Sequence, residues 1–429
     1  MKSKDDRKDL LEEAPNAEAV FVARQPVFNA DETVWGYELL FRSGEENKAD
    51  VTDDVQATSS VISDGLTMAM DGMNPGARVL INFPEQMLLD DVGFALPKET
   101  CIVEVLEDVR PTEEALAAVK RLKDAGYTIA VDDFFGQEEL KPFLSLADIV
   151  KIDILELDSN PKKVMEAIKP IPKDVQLLAE KVEHNVIFMG LKKMGFSLFQ
   201  GFFFSKPEII PGKKLTTNEL TKLQLMAELS NPDFEPARLA EILQSDPNLT
   251  YRLFRYINSV GFGLRQKVTS LKRAIDMMGM LQARQWLRTA IIADINTAPK
   301  AGELAFMSVH RAKFLESICS NANVKECEPD AMFLAGLFSL LDAMLGVEMD
   351  DILGSLPLDD AVVDGLSGRG QLHELISLAK GYERGEWDET DEQLRSLQFE
   401  IDETDLIYAR SGSWAQQMLG YSKSKDDES

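Results

Sequence analysis

The first half of the chain alternates short apolar segments with amphipathic ones, and no other feature restricts the fold as strongly. Between residues 19 and 207 the segments of strand type are AVFVARQ, TVWGYELLF, RVLINF, CIVEVLE, YTIAVDDF, DIVKIDI, VQLLAEKVE and FSLFQGFFF. Amphipathic stretches such as TEEALAAVKRLKDAG and HNVIFMGLKKMG lie between most of them. Short apolar strands separated by helices are typical of a parallel sheet. Eight strand candidates predict a TIM-like (β/α) barrel, although roughly 190 residues is short for one.

From about residue 208 the pattern changes to one of helices. PEIIPGKK is typical of a linker, and it is followed by segments such as LTTNELTKLQLMAEL, LTYRLFRYINS and AGELAFMSVHRAKFLESICSN. Apolar residues recur in them at spacings of three and four, which indicates amphipathic helices. We therefore predict two domains, a barrel over residues 19–207 and an all-α domain over residues 208–423.

The composition restricts the classes of partner. A net charge of −27 and a pI of about 4.6 argue against a nucleic-acid polymer and against an anionic membrane surface as partners. They still allow a small anionic ligand, provided that local cations or metal ions offset the field. The three cysteines, Cys101, Cys319 and Cys327, do not suggest a disulfide framework and favour a cytoplasmic location.

Polar side chains occur at the end of almost every predicted strand, which is where the working residues of a (β/α) barrel lie. They are Glu38, Asn82, Glu104, Asp132, Asp133, Lys151, Asp153, Glu180, Glu183 and Gln200. Crowded carboxylates repel one another, and oxygen-rich clusters suit Mg²⁺ or Mn²⁺. Two such ions can clamp a phosphodiester and activate water. A single acid of this set is more often a helix cap or a solvated strand end, so spacing alone leaves the metal site and the structural interpretation open.

These strand ends also carry motifs of a known family. YELLFR resembles the signature of the EAL family of cyclic di-GMP phosphodiesterases, with Leu39 in place of the family's alanine. RQPVF, LINF, VEVLE, VDDF, VKID, AEKVE and FQGFFFSKP match in order along residues 19–207. The resemblance implies a barrel that binds cyclic di-GMP and hydrolyses it to linear pGpG with Mg²⁺ or Mn²⁺.

The same resemblance implies a role for each matched residue. The metal ligands would be Glu38, Asn82, Glu104 and Asp132 for one ion, with Asp132 and Asp133 for a second. The catalytic residues would be Lys151, Glu180 and Glu38. Lys151 would position the attacking water, and Glu180 would serve as base or water ligand. The substrate-binding residues would be Gln25 at a guanine edge, Arg42 at a phosphate, and Glu183 and Gln200 at the mouth. Glu107 would anchor a loop.

One segment departs from the family pattern. Active members usually follow the paired aspartates with a Gly-Thr-Gly loop and a Tyr-Ser-Ser run, whereas here the sequence is VDDFFGQEELKPFL. We expect Phe134 and Phe135 to pack inward or onto a neighbour and to draw Asp133 away from the metal. Slow turnover, with nucleotide affinity less affected, would follow. The usual partner of Glu107 would also be missing.

The second half resembles the HDOD domain, a relative of the HD phosphohydrolases. LAEILQSDPNLTYRLFRYINS and VTSLKRAIDMMGM carry the resemblance. A catalytic HD site needs a His-Asp pair, but His310 is followed by Arg311 and the only other histidine of this half is His373. We expect His310 to be a core or helix-face residue and this half to be a non-catalytic regulatory module that contacts a protein partner.

Three hypotheses follow from the two halves. The chain is a metal-dependent cyclic di-GMP phosphodiesterase modulated by HDOD, or a catalytically impaired receptor that signals through HDOD, or a scaffold with a vestigial pocket. The retained ligand set favours the enzyme over the scaffold, while the altered loop favours the receptor. We slightly prefer the enzyme hypothesis. The sequence leaves open whether the protein is a homodimer.

Overall fold

The first half of the chain folds into a closed barrel. The computed structural model describes residues 21–42, 77–206, 214–229, 231, 234–258, 268, 270–295, 298–321 and 328–420. Eight strands follow one another around the barrel in sequence order. They are β1 Phe21–Asn29, β2 Val34–Arg42, β3 Arg78–Phe83, β4 Cys101–Val105, β5 Thr128–Val131, β6 Ile149–Asp153, β7 Gln176–Glu180 and β8 Leu198–Gln200. The predicted (β/α) barrel is thereby confirmed.

The first strand departs from the parallel arrangement. β1 pairs antiparallel with both β2 and β8, whereas all neighbouring pairs from β2 to β8 are parallel. β1 and β2 are joined by a tight turn, in which the Asn29 amide donates a hydrogen bond of 2.8 Å to the Thr33 carbonyl. A connection this short permits only an antiparallel hairpin, because a parallel pair needs a long crossover. The carboxyl ends of β2 to β8 therefore share one rim.

The helices of the barrel cover its outer face. Those within the described residues are α1 Glu85–Leu89, α2 Glu113–Asp124, α3 Pro161–Ala167 and α4 Asn185–Met194, with short 3-10 helices at Val92–Ala95, Glu138–Ser145 and Phe202–Phe204. The Thr112 hydroxyl caps α2 by accepting a hydrogen bond of 3.1 Å from the Ala115 amide. Val119 and Leu122 of α2 are fully buried, so the apolar stripe of this helix faces the sheet.

The second half is helical throughout its described part. Its helices are α5 Thr217–Glu228, α6 Pro236–Ser245, α7 Pro247–Ile257, α8 Leu271–Met278, α9 Met280–Ala293, α10 Ala301–Asn321, α11 Pro329–Phe338, α12 Leu341–Leu345, α13 Met349–Leu353, α14 Asp360–Leu366, α15 Gly370–Arg384, α16 Trp387–Leu397 and α17 Ile401–Leu419. The long helix α10 packs against α11 and α17. No helix in these described stretches is both long and apolar enough to cross a membrane.

The helical half packs on the outer face of β1 and β2. The Arg24 guanidinium of β1 lies 3.9 Å from the ring centroid of Phe306 in α10. The Tyr37 hydroxyl of β2 donates a buried hydrogen bond of 2.9 Å to Glu303 Oε2 of α10. Helices α15 and α17 also contact β1. The first two strands are therefore shared between the barrel and an interface with the helical half.

The cysteines differ from the expectation in one respect. Cys101 is free and buried in β4, but Cys319 near the end of α10 is disulfide-bonded. The expectation concerned a disulfide framework, and the sequence did not predict this single bonded cysteine. Sequence spacing gave no sign of this bond, because pairing depends on how two cysteines approach in space.

Candidate active site

The alternation of side chains along each strand brings most of the predicted site residues together inside the barrel near its rim. A layer of apolar side chains fills the barrel interior, made by Val27, Leu80, Ile102, Ala130, Ile149, Leu178 and Leu198. Successive side chains of a strand point to opposite faces, so a residue two positions further along points into the barrel again. Two positions beyond the layer, toward the rim, lie Gln25, Asn82, Glu104, Asp132, Lys151, Glu180 and Gln200. Glu38 joins this second layer, because it lies opposite Gln25 in the β1–β2 register.

Lys151 occupies the centre of the second layer. Its Nζ lies 3.2 Å from Glu38 Oε2, 2.9 Å from Asp132 Oδ1 and 2.9 Å from Glu180 Oε1. It also forms an ion pair with Glu104, so one ammonium group contacts four carboxylates from four different strands or strand ends. The lysine side chain is 1% exposed. A lysine this deep is stable as a cation only because these carboxylates surround it.

The cluster carries more negative than positive charge. Burial raises the pKa of Glu104 and Glu180 well above the usual range, and Lys151 offsets this only in part. For Asp132, burial acts to raise the pKa, but the Lys151 charge together with hydrogen bonds to Lys151, Glu104 and the Asp133 amide outweighs burial, and the net shift is downward. Burial would lower the pKa of Lys151, yet the four carboxylates raise it well above its ordinary value. One ammonium among four carboxylates leaves a site that attracts protons or further cations.

The oxygen atoms of the cluster fit a divalent metal ion. Asn82 Oδ1, Glu104 Oε2 and Glu180 Oε2 are buried without a hydrogen-bond partner. A buried acceptor left without a partner costs about 1–3 kcal/mol, and a cation would satisfy it. Asp132, Asp133 and Glu180 also each offer an oxygen within 4.8 Å of the others. Carboxylate and amide oxygens are the ligands that Mg²⁺ and Mn²⁺ prefer, so this donor set fits such ions.

The loop after Asp133 keeps this carboxylate at the site. Phe134 packs inward as expected and is 0% exposed, while Phe135 is 46% exposed. The expectation that the two phenylalanines draw Asp133 away was wrong, because its carboxylate stays with those of Asp132 and Glu180. Gln137 closes the loop by donating a hydrogen bond of 2.7 Å to the Asp133 carbonyl and accepting one of 2.7 Å from the Phe135 amide. Asp133 itself adopts a left-handed conformation, with φ of 42°.

Asp133 differs from its neighbour in the direction of its pKa shift. Burial, followed by the charge of Asp132, raises the pKa of Asp133 to about 6. The like charge next to it therefore makes Asp133 the weaker acid of the pair. A cation shared by both carboxylates would relieve this repulsion.

The predicted rim residues are only partly brought into the site. Gln200 donates hydrogen bonds of 2.6 Å to both Glu38 Oε2 and Gln25 Oε1. Glu183 accepts a hydrogen bond of 3.0 Å from Lys206, which lowers its pKa. The side chain of Arg42 lies outside the described residues. Glu107 is exposed in the turn after β4, and among the described residues no hydrogen bond or ion pair joins it to the loop of residues 134–139.

Sequence reasoning missed a second lysine at the mouth. Lys181 follows Glu180 directly, has a φ of 51°, and its Nζ lies 2.5 Å from Asp153 Oδ2. Asp153 is 1% exposed and also accepts a hydrogen bond of 2.7 Å from the Leu155 amide. Asp153 therefore fixes the loop that follows β6 through the Leu155 amide and fixes Lys181 through an ion pair. The signal was present in AEKVE, where a lysine sits between two strand-end acids.

In the helical half His310 lies away from this site. It is 8% exposed, and its Nε2 lies 2.8 Å from the Tyr408 carbonyl oxygen. Its ring packs against the rings of Phe306 and Tyr408, with centroid distances of 5.6 Å and 4.3 Å. Its neighbour Arg311 forms a buried pair with Glu383, with two contacts of 2.6 Å. His310 is therefore a core residue of α10, as expected.

Comparison with known families and proteins agrees with this architecture. The model of the EAL domain matches residues 8–207, and the model of the HDOD domain matches residues 217–345. The chain is 32% identical over 404 residues to the cyclic di-GMP phosphodiesterase CdgJ of Vibrio cholerae, covering 92% of each chain. It is 32% identical over 409 residues to the uncharacterized protein YuxH of Bacillus subtilis, covering 93% of this chain and 99% of the relative.

Among solved structures, Klebsiella pneumoniae BlrP1 with manganese and cyclic di-GMP at pH 9.0 aligns with 44% of this chain and 57% of that chain. The identity is 22% and the TM-score is 0.35.

Proposed function

The chain belongs to the EAL family and carries an HDOD domain after its barrel, and on that premise we propose that it hydrolyses cyclic di-GMP to linear pGpG. The observation that supports this most strongly is the ring of strand-end oxygens around Lys151, three of which are buried without a hydrogen-bond partner. The relative CdgJ, which is similar over 92% of its length, bears the name of this activity. We keep the proposed division into a barrel over residues 19–207 and a helical domain over residues 208–423.

Each site residue has a role in this proposal. Glu38, Asn82, Glu104, Asp132, Asp133 and Glu180 would hold divalent ions, for which we propose Mg²⁺ or Mn²⁺. When bound, these ions supply Lewis-acid polarisation of the phosphodiester and a more acidic water molecule. Lys151 would hold the attacking water by donating a hydrogen bond, and Glu180 would accept its proton. Burial, the largest cause, raises the pKa of Glu180, so its carboxylate has a higher affinity for a proton than an exposed glutamate has.

The nucleotide would bind at the rim above these groups. Gln25 offers an amide to a guanine edge, Arg42 a cation to a phosphate, and Glu183 and Gln200 complete the mouth. In this structure Gln200 joins Gln25 to Glu38 by two hydrogen bonds, which supports a common function for these residues. Glu107, which we proposed as a loop anchor, gains no support from its exposed position.

The HDOD half would modulate the barrel through the interface at β1 and β2. Tyr37, which bonds to Glu303 of α10, is the neighbour of Glu38 in β2. A shift of α10 would therefore act on the strand that carries a proposed metal ligand. We propose that a protein partner binds the helical half and uses this connection, and we leave a homodimer as an open possibility.

The experiment that tests the activity uses the full chain. Purified protein is incubated with cyclic di-GMP and Mg²⁺ or Mn²⁺, and the products are separated by chromatography. Formation of pGpG that EDTA abolishes is the expected result. Complete absence of both pGpG formation and nucleotide binding would contradict the proposal.

A second candidate is a receptor that binds cyclic di-GMP without useful turnover. The sequence FFGQEE after Asp133 differs from the glycine-rich loop of active members, and this difference is the reason to consider a receptor, although Asp133 stays beside Asp132 and Glu180. The same experiment distinguishes the two, because a receptor would bind the nucleotide by calorimetry and yield no pGpG.

We also propose that the protein acts in the cytoplasm. Three cysteines in 429 residues support this location, whereas the disulfide at Cys319 argues against it, since the cytosol keeps thiols reduced. Trapping of free thiols directly in lysed cells would decide, because a cytoplasmic protein should yield Cys319 in the reduced form.

A further inference from the structure

The carboxyl end of α15, in the helical half, reaches the rim of the barrel. The Arg384 guanidinium lies over the ring of Phe202, 4.5 Å from its centroid. The next residue, Gly385, has a φ of +67°, and a Cβ atom there would lie 2.7 Å from Leu40 Cδ1. The positive φ favours glycine at this position, and a larger residue would also require the Leu40 side chain to move. The end of α15 is therefore held tightly against the barrel.

The rim residues that it contacts lie directly above the candidate active site. Leu40 is two positions beyond Glu38 in β2, and Phe202 is two positions beyond Gln200, the last residue of β8. Two positions along β2 correspond to about 7 Å, whereas Phe202 begins a 3-10 helix after Gly201 and this spacing does not apply to it. A ligand seated on the carboxylate layer would therefore come within reach of the side chains at the end of α15.

The charge of Arg384 also acts on Glu183, which follows β7 at the rim. The pKa of Glu183, three positions after Glu180, is lowered first by the hydrogen bond from Lys206, and the positive charge of Arg384 acts in the same direction. Arg384 thus faces a mouth bordered by the ends of β7, β8 and β2.

Three lysines described at the mouth are already engaged by carboxylates. Lys151 contacts four of them, Lys181 pairs with Asp153 at 2.5 Å, and Lys206 pairs with Glu183 at 3.0 Å. Arg384 is different. Among the described residues its acidic contact is Glu386, at 3.4 Å between Nη1 and Oε1, and 37% of its side chain is exposed. A guanidinium in this state can exchange a weak, solvated contact for a phosphate.

We propose that Arg384 of the HDOD half is a substrate-binding residue of the barrel and contacts a phosphate of the cyclic dinucleotide. This role rests on the proposed function. Phe202 positions the guanidinium by stacking under it, and the planar group then presents paired donors to the phosphate oxygens. The helical half therefore completes the mouth, and any movement of α15 changes nucleotide affinity directly.

The test compares three full-length variants, Arg384→Ala, Arg384→Lys and Arg369→Ala. Arg369 is the matched control, because it precedes the other end of α15 and pairs with exposed Asp364 at 2.7 Å. Its replacement by alanine removes the same charge. Fifteen helical residues separate the two arginines by about 22 Å. Thermal melting of each variant verifies that the fold is intact.

Affinity for cyclic di-GMP is measured by calorimetry with a divalent ion, with chromatography to detect pGpG, and KM and kcat are measured where turnover occurs. We expect Arg384→Ala to raise Kd or KM about ten-fold or more, since hydrogen bonds to charged groups are strong. The Kd or KM of Arg384→Lys should lie between those of the wild type and Arg384→Ala, because lysine keeps the charge without the paired donors. Arg369→Ala should match the wild type, and the loss in Arg384→Ala should shrink at high salt.

Metal binding separates the possible outcomes. Arg384→Ala should bind Mn²⁺ alone as the wild type does, since the arginine holds no metal. Equal nucleotide affinity in wild type and Arg384→Ala would overturn this role and leave the proposed function standing. A wild type that binds Mn²⁺ but no cyclic di-GMP would overturn the proposed function, and this role with it.

Discussion

Tyr37 of the barrel donates a hydrogen bond of 2.9 Å to Glu303 of the helical half, and both side chains are buried, at 4% and 7% exposure. Burial raises the pKa of Glu303, and the nearby Arg24 guanidinium offsets this in part. A carboxyl group in such a place depends on its donors. This bond therefore links the two halves next to the strand position that carries Glu38.

Removing the Tyr37 hydroxyl should weaken the connection between the halves. In Tyr37→Phe the ring stays in place, but Glu303 loses a buried donor, so we expect the free energy of unfolding to fall by about 1–3 kcal/mol. Urea unfolding monitored by circular dichroism measures this. Tyr251→Phe is the control, because Tyr251 is 68% exposed and its substitution should have almost no effect. Equal stability of both variants and the wild type would show that this bond does not matter.

Replacing Glu38 should remove activity without unfolding the barrel. Glu38→Gln keeps the shape of the side chain and can still contact Gln200, while Lys151 retains three carboxylates. Loss of a metal-ligating charge should lower the rate of pGpG formation about 100-fold or more, with an unchanged melting temperature. Glu139→Gln, at an exposed position of the same domain, is the control. Full activity in Glu38→Gln would refute the ligand assignment.

The two phenylalanines after Asp133 should differ sharply in their effect on stability. Phe134 is fully buried and Phe135 is 46% exposed, although they are neighbours in one loop. Phe134→Ala should lower the free energy of unfolding by about 3–5 kcal/mol, because it leaves a cavity in the core. Phe135→Ala should cost far less, and it serves as the matched control. If both substitutions had the same effect on urea unfolding, the inward packing of Phe134 would be in question.

His310 should make the stability of the protein depend on pH in a defined window. Burial lowers its pKa from 6.5 to about 4, so the folded protein holds the neutral ring. Between these two values the unfolded state binds the proton and the folded state does not. This contribution to stability is complete above pH 6.5 and is lost as the pH falls toward 4, by about 3 kcal/mol in total.

The comparison of wild type with His310→Gln isolates this contribution from that of the many carboxylates. Unfolding midpoints in urea are measured at intervals from pH 7.5 to pH 4.5. The wild type should lose more stability over this range than His310→Gln. Parallel pH profiles would indicate that His310 titrates normally in the folded protein.

The sequence alone determined the type of each half and most of the inner ring of the site. Strand-end residues such as Asn82, Glu104 and Glu180 could be found because side chains alternate along a strand, so a local period of two predicts which ones face the barrel interior. The same local logic predicted the helices of the second half from spacings of three and four. Family motifs lie in these same segments, and the matched EAL and HDOD models agree with both interpretations.

Only the tertiary structure decided how distant segments meet. The burial of Phe134 and the hydrogen bonds of Gln137 hold Asp133 in position, although the loop lacks the glycines of the family pattern. No local sequence pattern predicts this outcome. The contact of Arg384 with Phe202 joins residues far apart in the chain, and Tyr37 meets Glu303 across 266 positions. Such contacts depend on the docking of whole helices against the barrel, a long-range packing effect that the periodicity of a single segment does not contain.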